Sequence, residues 1–180
     1  DKKDLIPKIE ETEAKIDQLH KAVKAYAEDI MQAGISDDAA RVLTLYVASS
    51  GNIERIGDYG KKLLEYYAYR QNRPKDFSQQ AMTELMYAEA HHAIVTALDG
   101  FINDDPDKAR EVAPIAGKLR GLEVELRNRH IQRLDKQECD SETGLVYVDI
   151  LGIIEHIGYH SNNVAKATIS SCTAEHKAKA

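Results

Sequence analysis

Glu54 and Asp58 stand four positions apart in the stretch IERIGDYGKKLLE, so on a helix they share one face, one turn from each other. Two carboxylates placed like that repel, and something positive must sit between them: a metal ion, or a basic side chain such as Arg55, Lys61 or one from a neighbouring helix. Glu155 repeats Glu54 later in the chain, but Tyr159 stands where Asp58 would be repeated, and His160 follows it. A tyrosine is a poor ligand for most divalent ions, which leaves Asp149 and His156 as the remaining donors near Glu155. Elsewhere, Glu89 and His92 form the Glu-x-x-His pair used by di-iron carboxylate bundles. That chemistry needs two such pairs on separate helices and two further inward carboxylates. Only Asp17 and His20 offer a second, weaker pair, so an oxidase is the lesser reading. No nucleophile with an adjacent base, phosphate-cradling glycine loop or dinucleotide fingerprint is present.

These residues belong to a duplication. YVASSGNIERIGD at residues 46–58 and YVDILGIIEHIGY at residues 147–159 lie 101 positions apart and agree at seven of thirteen positions. Self-similarity at a long fixed period marks a supersecondary unit packed against its copy. In both copies a glycine, Gly57 or Gly158, sits mid-helix, where it costs up to about 1 kcal/mol relative to alanine. The expectation is that the two glycines admit close helix approach where the copies meet.

The whole chain has 180 residues, 43% apolar and 30% charged, which suits one soluble helical domain with a sizeable core. A net charge of −6 lacks the basic footprint of a nucleic-acid binder; Arg120, Arg127, Arg129 and Arg133 are interleaved with Glu123 and Glu125 and read as a solvated, ion-paired face. No apolar run approaches the length that spans a bilayer. Cys139 and Cys172 fit neither a disulfide framework nor a thiolate zinc site. Because the chain begins at Asp1 without Met, it is expected to be a processed product or an excised piece, which leaves room for a targeting or membrane segment upstream.

Five helices are predicted. The first carries Ile9, Ile16, Leu19, Val23, Tyr26 and Ile30 on one stripe and stops at Gly34. The second is capped by Ser36 or Asp37, turns Leu43, Tyr46, Val47, Ile53 and Leu64 inward, and ends before Pro74. The third opens at Ser78 and buries Ala81, Leu85, Ala88, Val95 and Ile102. Asp105 and Pro106 start the fourth, with Val112, Ile115, Leu119, Leu122 and Leu126 on its stripe. The fifth runs from Asp140-Ser141-Glu142 to about Ser171, followed by a frayed tail. Tyr59, Tyr66, Tyr67 and Tyr69 are more tyrosines than one core stripe absorbs; they suit a contact surface or cover the end of the bundle.

The result is an all-α antiparallel bundle, a single domain over residues 1–180. A first repeat at 1–74 lacks its first helix, a second repeat occupies 75–172, and the tail is 173–180. The segments IERIGDYGKKLLE and DILGIIEHIGYHSNNVAKA resemble the signature of PhoU-like domains over most of residues 8–166, most closely the kind attached to sodium/phosphate symporters. The resemblance implies a non-enzymatic domain of a six-helix type that regulates phosphate uptake, with the free cytoplasmic PhoU-type signalling regulator as the alternative. It implies a membrane phosphate transporter as partner, on the same or a separate polypeptide, no nucleic acid, and leaves a homodimer open. It places the domain in the cytoplasm, tethered to the inner (plasma) membrane through an upstream segment. Carried over by position, it also implies metal binding, by iron, zinc or another divalent ion, at Glu54, Asp58 and Glu155.

Overall fold

The protein is represented by a computed structural model that describes residues 5–71, 80–138 and 141–178, with side chains described over 5–66, 86–138 and 141–173. Among these residues six helices follow one another: α1 (Leu5–Gln32), α2 (Asp37–Gln71), α3 (Gln80–Ile102), α4 (Pro106–Arg110), α5 (Val112–Asp135) and α6 (Ser141–Ala178). The starts and stops are written locally. Gly34 takes φ +82°, which glycine adopts without steric cost, while the Gly34 amide donates to the Met31 carbonyl at 3.2 Å. Ser36 Oγ accepts from the Ala39 amide at 3.3 Å, making Ser36 the cap of α2. Asp105 accepts from the amides of Asp107 and Lys108, with Pro106 at the first helical position.

Three predicted elements differ. The fourth helix is two, α4 and α5, because Pro114 has no N–H to give the Arg110 carbonyl and its ring crowds that oxygen, so the first segment ends at Arg110. The last helix continues to Ala178, beyond the expected stop near Ser171. α3 faces the core with another stripe: Met86, Ala90, Ala93, Thr96 and Ala97 are buried, whereas Ala88, Val95 and Ile102 face solvent. The predicted start at Ser78 and the end before Pro74 lie outside the described residues, as do the side chains of Ala81, Leu85, Tyr67 and Tyr69.

The two longest helices, α2 and α6, make the most extensive contact and run antiparallel: Asn52 meets His160 and Asn163, Tyr59 meets His156, and Tyr66 meets Asp149. Among the described residues α1 packs on α2 alone, whereas α3 packs on α4, α5 and α6. The continuous core accordingly lies in the second half, where Val112, Leu119, Leu126, Leu151, Ile154 and Val164 are fully buried.

Candidate functional site

The repeated signatures form facing stretches of α2 and α6. Their glycines, however, do not pack where the copies meet. A Cβ at Gly57 would touch Ile16 of α1 at 3.4 Å, and one at Gly158 would strike Leu119 of α5 at 2.5 Å. Each glycine therefore admits the preceding helix of its own half. The reason is geometric: the glycine stands on the flank of its helix turned toward that neighbour, and the α2–α6 seam is filled by larger polar and aromatic residues.

That seam has three levels. At one end Asn52 Oδ1 accepts from His160 Nδ1 at 2.9 Å and from Asn163 Nδ2 at 3.2 Å. Since a carbonyl oxygen only accepts, neutral His160 carries its proton on Nδ1. In the middle the Tyr59 ring stacks on His156 with centroids 5.4 Å apart and planes within 4°, and it leans on His160 at 5.7 Å. At the far end the half-buried Tyr66 hydroxyl donates to Asp149 at 2.8 Å. Partial burial first, and then this bond to Asp149, which favours the neutral phenol, raise the Tyr66 pKa above its ordinary value. Of the four tyrosines singled out, Tyr59 and Tyr66 thus tie the halves together.

Glu54 and Asp58 sit beside this seam with Arg55 against both, its guanidinium 3.8 Å from Glu54 and 3.5 Å from Asp58. The positive charge that two adjacent carboxylates require is here an arginine. Lys61 turns the other way, to Glu13 of α1 at 3.1 Å. Glu155 has the His156 ring 3.9 Å away. Among the described residues no group of three or more His, Cys, Asp and Glu side chains converges as a metal-binding set. Glu54, Asp58 and Glu155 are accordingly not gathered into one such set.

The other chemical candidates are also held in ordinary contacts. Glu89 pairs with Lys118 of α5, while His92 is exposed. His20 Nδ1 lies 2.9 Å from Ser50 Oγ, and Asp17 pairs with Lys21 at 2.7 Å. Arg127 and Arg129 pair with Glu123 and Glu125, and Arg133 lies 3.9 Å from Glu138. Sequence reasoning missed Asn52 and Asn163. The available signal was that Asn52 stands where the second copy has Ile153, an amide in place of an aliphatic residue.

Two histidines make the packing sensitive to acid. His160 is held below its ordinary pKa of 6.5 by burial, then by His156 and Arg55; Asn52, Tyr59 and Tyr159 also face it. His130, buried between α5 and α6 near Tyr147, is held below 6.5 by burial and then by Arg133. For each, the unfolded chain binds the proton more readily. Their contribution is therefore intact above 6.5 and is lost as pH falls below 6.5 through the folded values. Thermal melts across pH 7.5 to about 5 are expected to show a falling midpoint, and His160→Gln is expected to flatten the slope. A midpoint that rises on acidification would contradict this assignment.

The fold is thus an all-α bundle whose two signature helices face each other antiparallel. Residues 1–67 and 83–168 match the family model described as the PhoU domain, and the chain belongs to that family. It is similar, at 23% identity over 167 residues, to the "Phosphate-specific transport system accessory protein PhoU homolog 1" of Thermotoga maritima, across 92% of this chain and 72% of that protein. Its fold matches the crystal structure of PhoU from Pseudomonas aeruginosa with a TM-score of 0.86 at 18% identity, over 93% of this chain and 80% of the other. No helix among the described residues is long and apolar enough to cross a membrane.

Proposed function

We propose that this chain is a non-enzymatic regulator of phosphate transport that acts by docking its helical surface on a membrane phosphate transporter in the cytoplasm. The observation that carries the reading is the similarity to a phosphate-transport accessory protein across 92% of the chain. The relatives favour the free accessory form over the symporter-attached form that the signature alone suggested. Affinity purification from native, detergent-solubilised membranes tests the docking: a phosphate transport protein should be recovered near one-to-one with the chain. Its absence under mild crosslinking would overturn the reading. The same purification separates the two forms, since a symporter-attached chain would appear as one large polypeptide and an accessory protein as two.

Metal binding through Glu54, Asp58 and Glu155 is a separate proposal. It requires an ion to displace Arg55 from between the first two carboxylates. Elemental analysis of untagged protein after soaking in iron or zinc should then show stoichiometric metal, and more of it in Arg55→Ala. Sub-stoichiometric metal in both proteins would end the proposal.

A further inference from the structure

The outward face of α5 is built unlike that of its counterpart in the first half. A Cβ at Gly57 would meet Ile16 as one at Gly158 would meet Leu119, which sets α1 in register with α5 at an offset of 103 residues. Opposite the core, α5 carries Pro114, Gly117, Gly121, Val124, Asn128 and Ile131 at alternating spacings of three and four, all exposed. The same stripe of α1 is Glu11, Ala14, Gln18, Lys21, Ala25 and Glu28, also all exposed. The α1 stripe is what a surface helix ordinarily turns to water. The α5 stripe is apolar but for Asn128, with Val124 and Ile131 51% and 47% exposed. Among the described residues nothing lies within 4 Å of a Cβ added at Gly117 or Gly121. Packing inside the chain therefore gives no reason for two glycines that cost helix stability relative to alanine, and the α1 stripe shows that the repeat itself does not require such a face.

We infer that this face of α5 binds the same face of a second copy of this chain, the two helices antiparallel about a two-fold axis. The order of residues along the stripe argues for a copy of itself. Its first half is small or ring-closed, Pro114, Gly117 and Gly121, and its second half is larger, Val124, Asn128 and Ile131. An antiparallel two-fold reverses that order, and so sets Val124 over the partner's Gly121, Asn128 over the partner's Gly117 and Ile131 beside the partner's Pro114. The two glycines permit the close approach that this requires, and an isologous contact of this kind is self-complementary. Charge agrees with it. Lys118 and Glu125 stand seven apart on one flank of the stripe, both half-exposed beside Glu89 and Arg129 of their own chain, and the pairing brings each near the other's copy. On the opposite flank Arg120 comes near the partner's Arg127, whose charge is already offset by Glu123. A lipid surface suits the stripe less well, because helices that lie on membranes insert bulky apolar side chains where this one has glycine.

Analytical ultracentrifugation of the purified native full-length protein, joined to photocrosslinking, tests it. The parent is expected to sediment as a dimer over a concentration series. Gly121→Arg should weaken association by about tenfold or more, because it lays a charge across an apolar contact. Gln18→Arg, at the matching position of α1, should leave association unchanged. Gly121→Arg keeps its fold, since a Cβ there meets nothing within 4 Å, and should melt no lower than the parent. For the contact itself, p-benzoylphenylalanine replaces Asn128, or as a control its α1 counterpart Ala25. Irradiation of the Asn128 position is expected to join two copies, with the crosslinked peptide mapping to about residues 113–121 of the second. A monomeric parent, or a dimer that Gly121→Arg leaves as tight, would overturn the proposal. So would capture no greater than at Ala25, or capture of lipid, of another protein or of a segment of the same polypeptide outside residues 1–180.

Discussion

Leu119→Ala is expected to destabilise the protein by about 2–5 kcal/mol, the range for emptying a fully buried leucine site. Leu119 is 0% exposed and lies directly beneath Gly158, so close that a single added Cβ there would stand 2.5 Å from its Cδ1. Gly158→Ala is therefore expected to cost about 1–3 kcal/mol through overpacking, against which an alanine in mid-helix returns at most about 1 kcal/mol. The two changes should compensate. With Leu119 cut back to its Cβ, which lies 3.5 Å from the new methyl, the clash is gone. The double variant should then be more stable than the sum of the singles by about 0.5–3 kcal/mol. Gly57→Ala is the control in the other half: its Cβ would meet Ile16 at 3.4 Å, on a helix that among the described residues packs against α2 only. That change should be neutral or stabilise by up to about 1 kcal/mol. Urea unfolding of the four variants and the parent checks the set, and additive singles, or a Gly158→Ala as stable as the parent, would refute the close packing.

Asn52→Leu carries the second large effect. It removes the one oxygen that accepts from both His160 Nδ1 and Asn163 Nδ2, and it also removes an amide that donates to the Ala48 carbonyl at 2.7 Å. Leaving partly buried donors without a partner costs about 1–3 kcal/mol, and the half-exposed setting puts the expectation near the lower end of that range. Asn52→Asp separates packing from electrostatics. It keeps the shape but places a carboxylate against the imidazole, and so should raise the His160 pKa from its depressed value, because an adjacent negative charge favours the imidazolium. Histidine titration by NMR reads this directly. A His160 pKa that is the same in Asn52→Asp and the parent would mean that the contact is not formed in solution.

What the sequence made legible follows from which forces are local. The signature was visible as a repeat because glycine and isoleucine positions in both copies answer to helix packing, and the stops at Gly34 and Asp105-Pro106 were visible because caps depend on a few neighbouring atoms. Helical periodicity located the stripe of α1, yet it could not say whether anything covers it; Leu19 at 65% and Tyr26 at 69% exposure show that the described chain leaves much of it open. α3 was misoriented for a related reason. It is apolar nearly all round, so several stripes compete, and the small residues Ala90, Ala93 and Ala97 won the core because close approach to α5 and α6 favours them over Val95 and Ile102. At the candidate site the pairing of Glu54 with Asp58 was visible, and the need for a positive partner followed from Coulomb repulsion. Choosing Arg55 for that role required coordinates, as did the Asn52–His160 bond, which joins residues 108 positions apart.

Control of phosphate transport by this PhoU-family chain, as proposed, can be read in living cells. The most direct test is the initial rate of labelled phosphate uptake by cells grown in high and low phosphate, comparing the parent strain, a strain lacking the gene, and that strain with the gene restored. The deletion is expected to change the rate, or its response to growth phosphate, and the restored gene to return it. Identical uptake in all three strains under both conditions would contradict it.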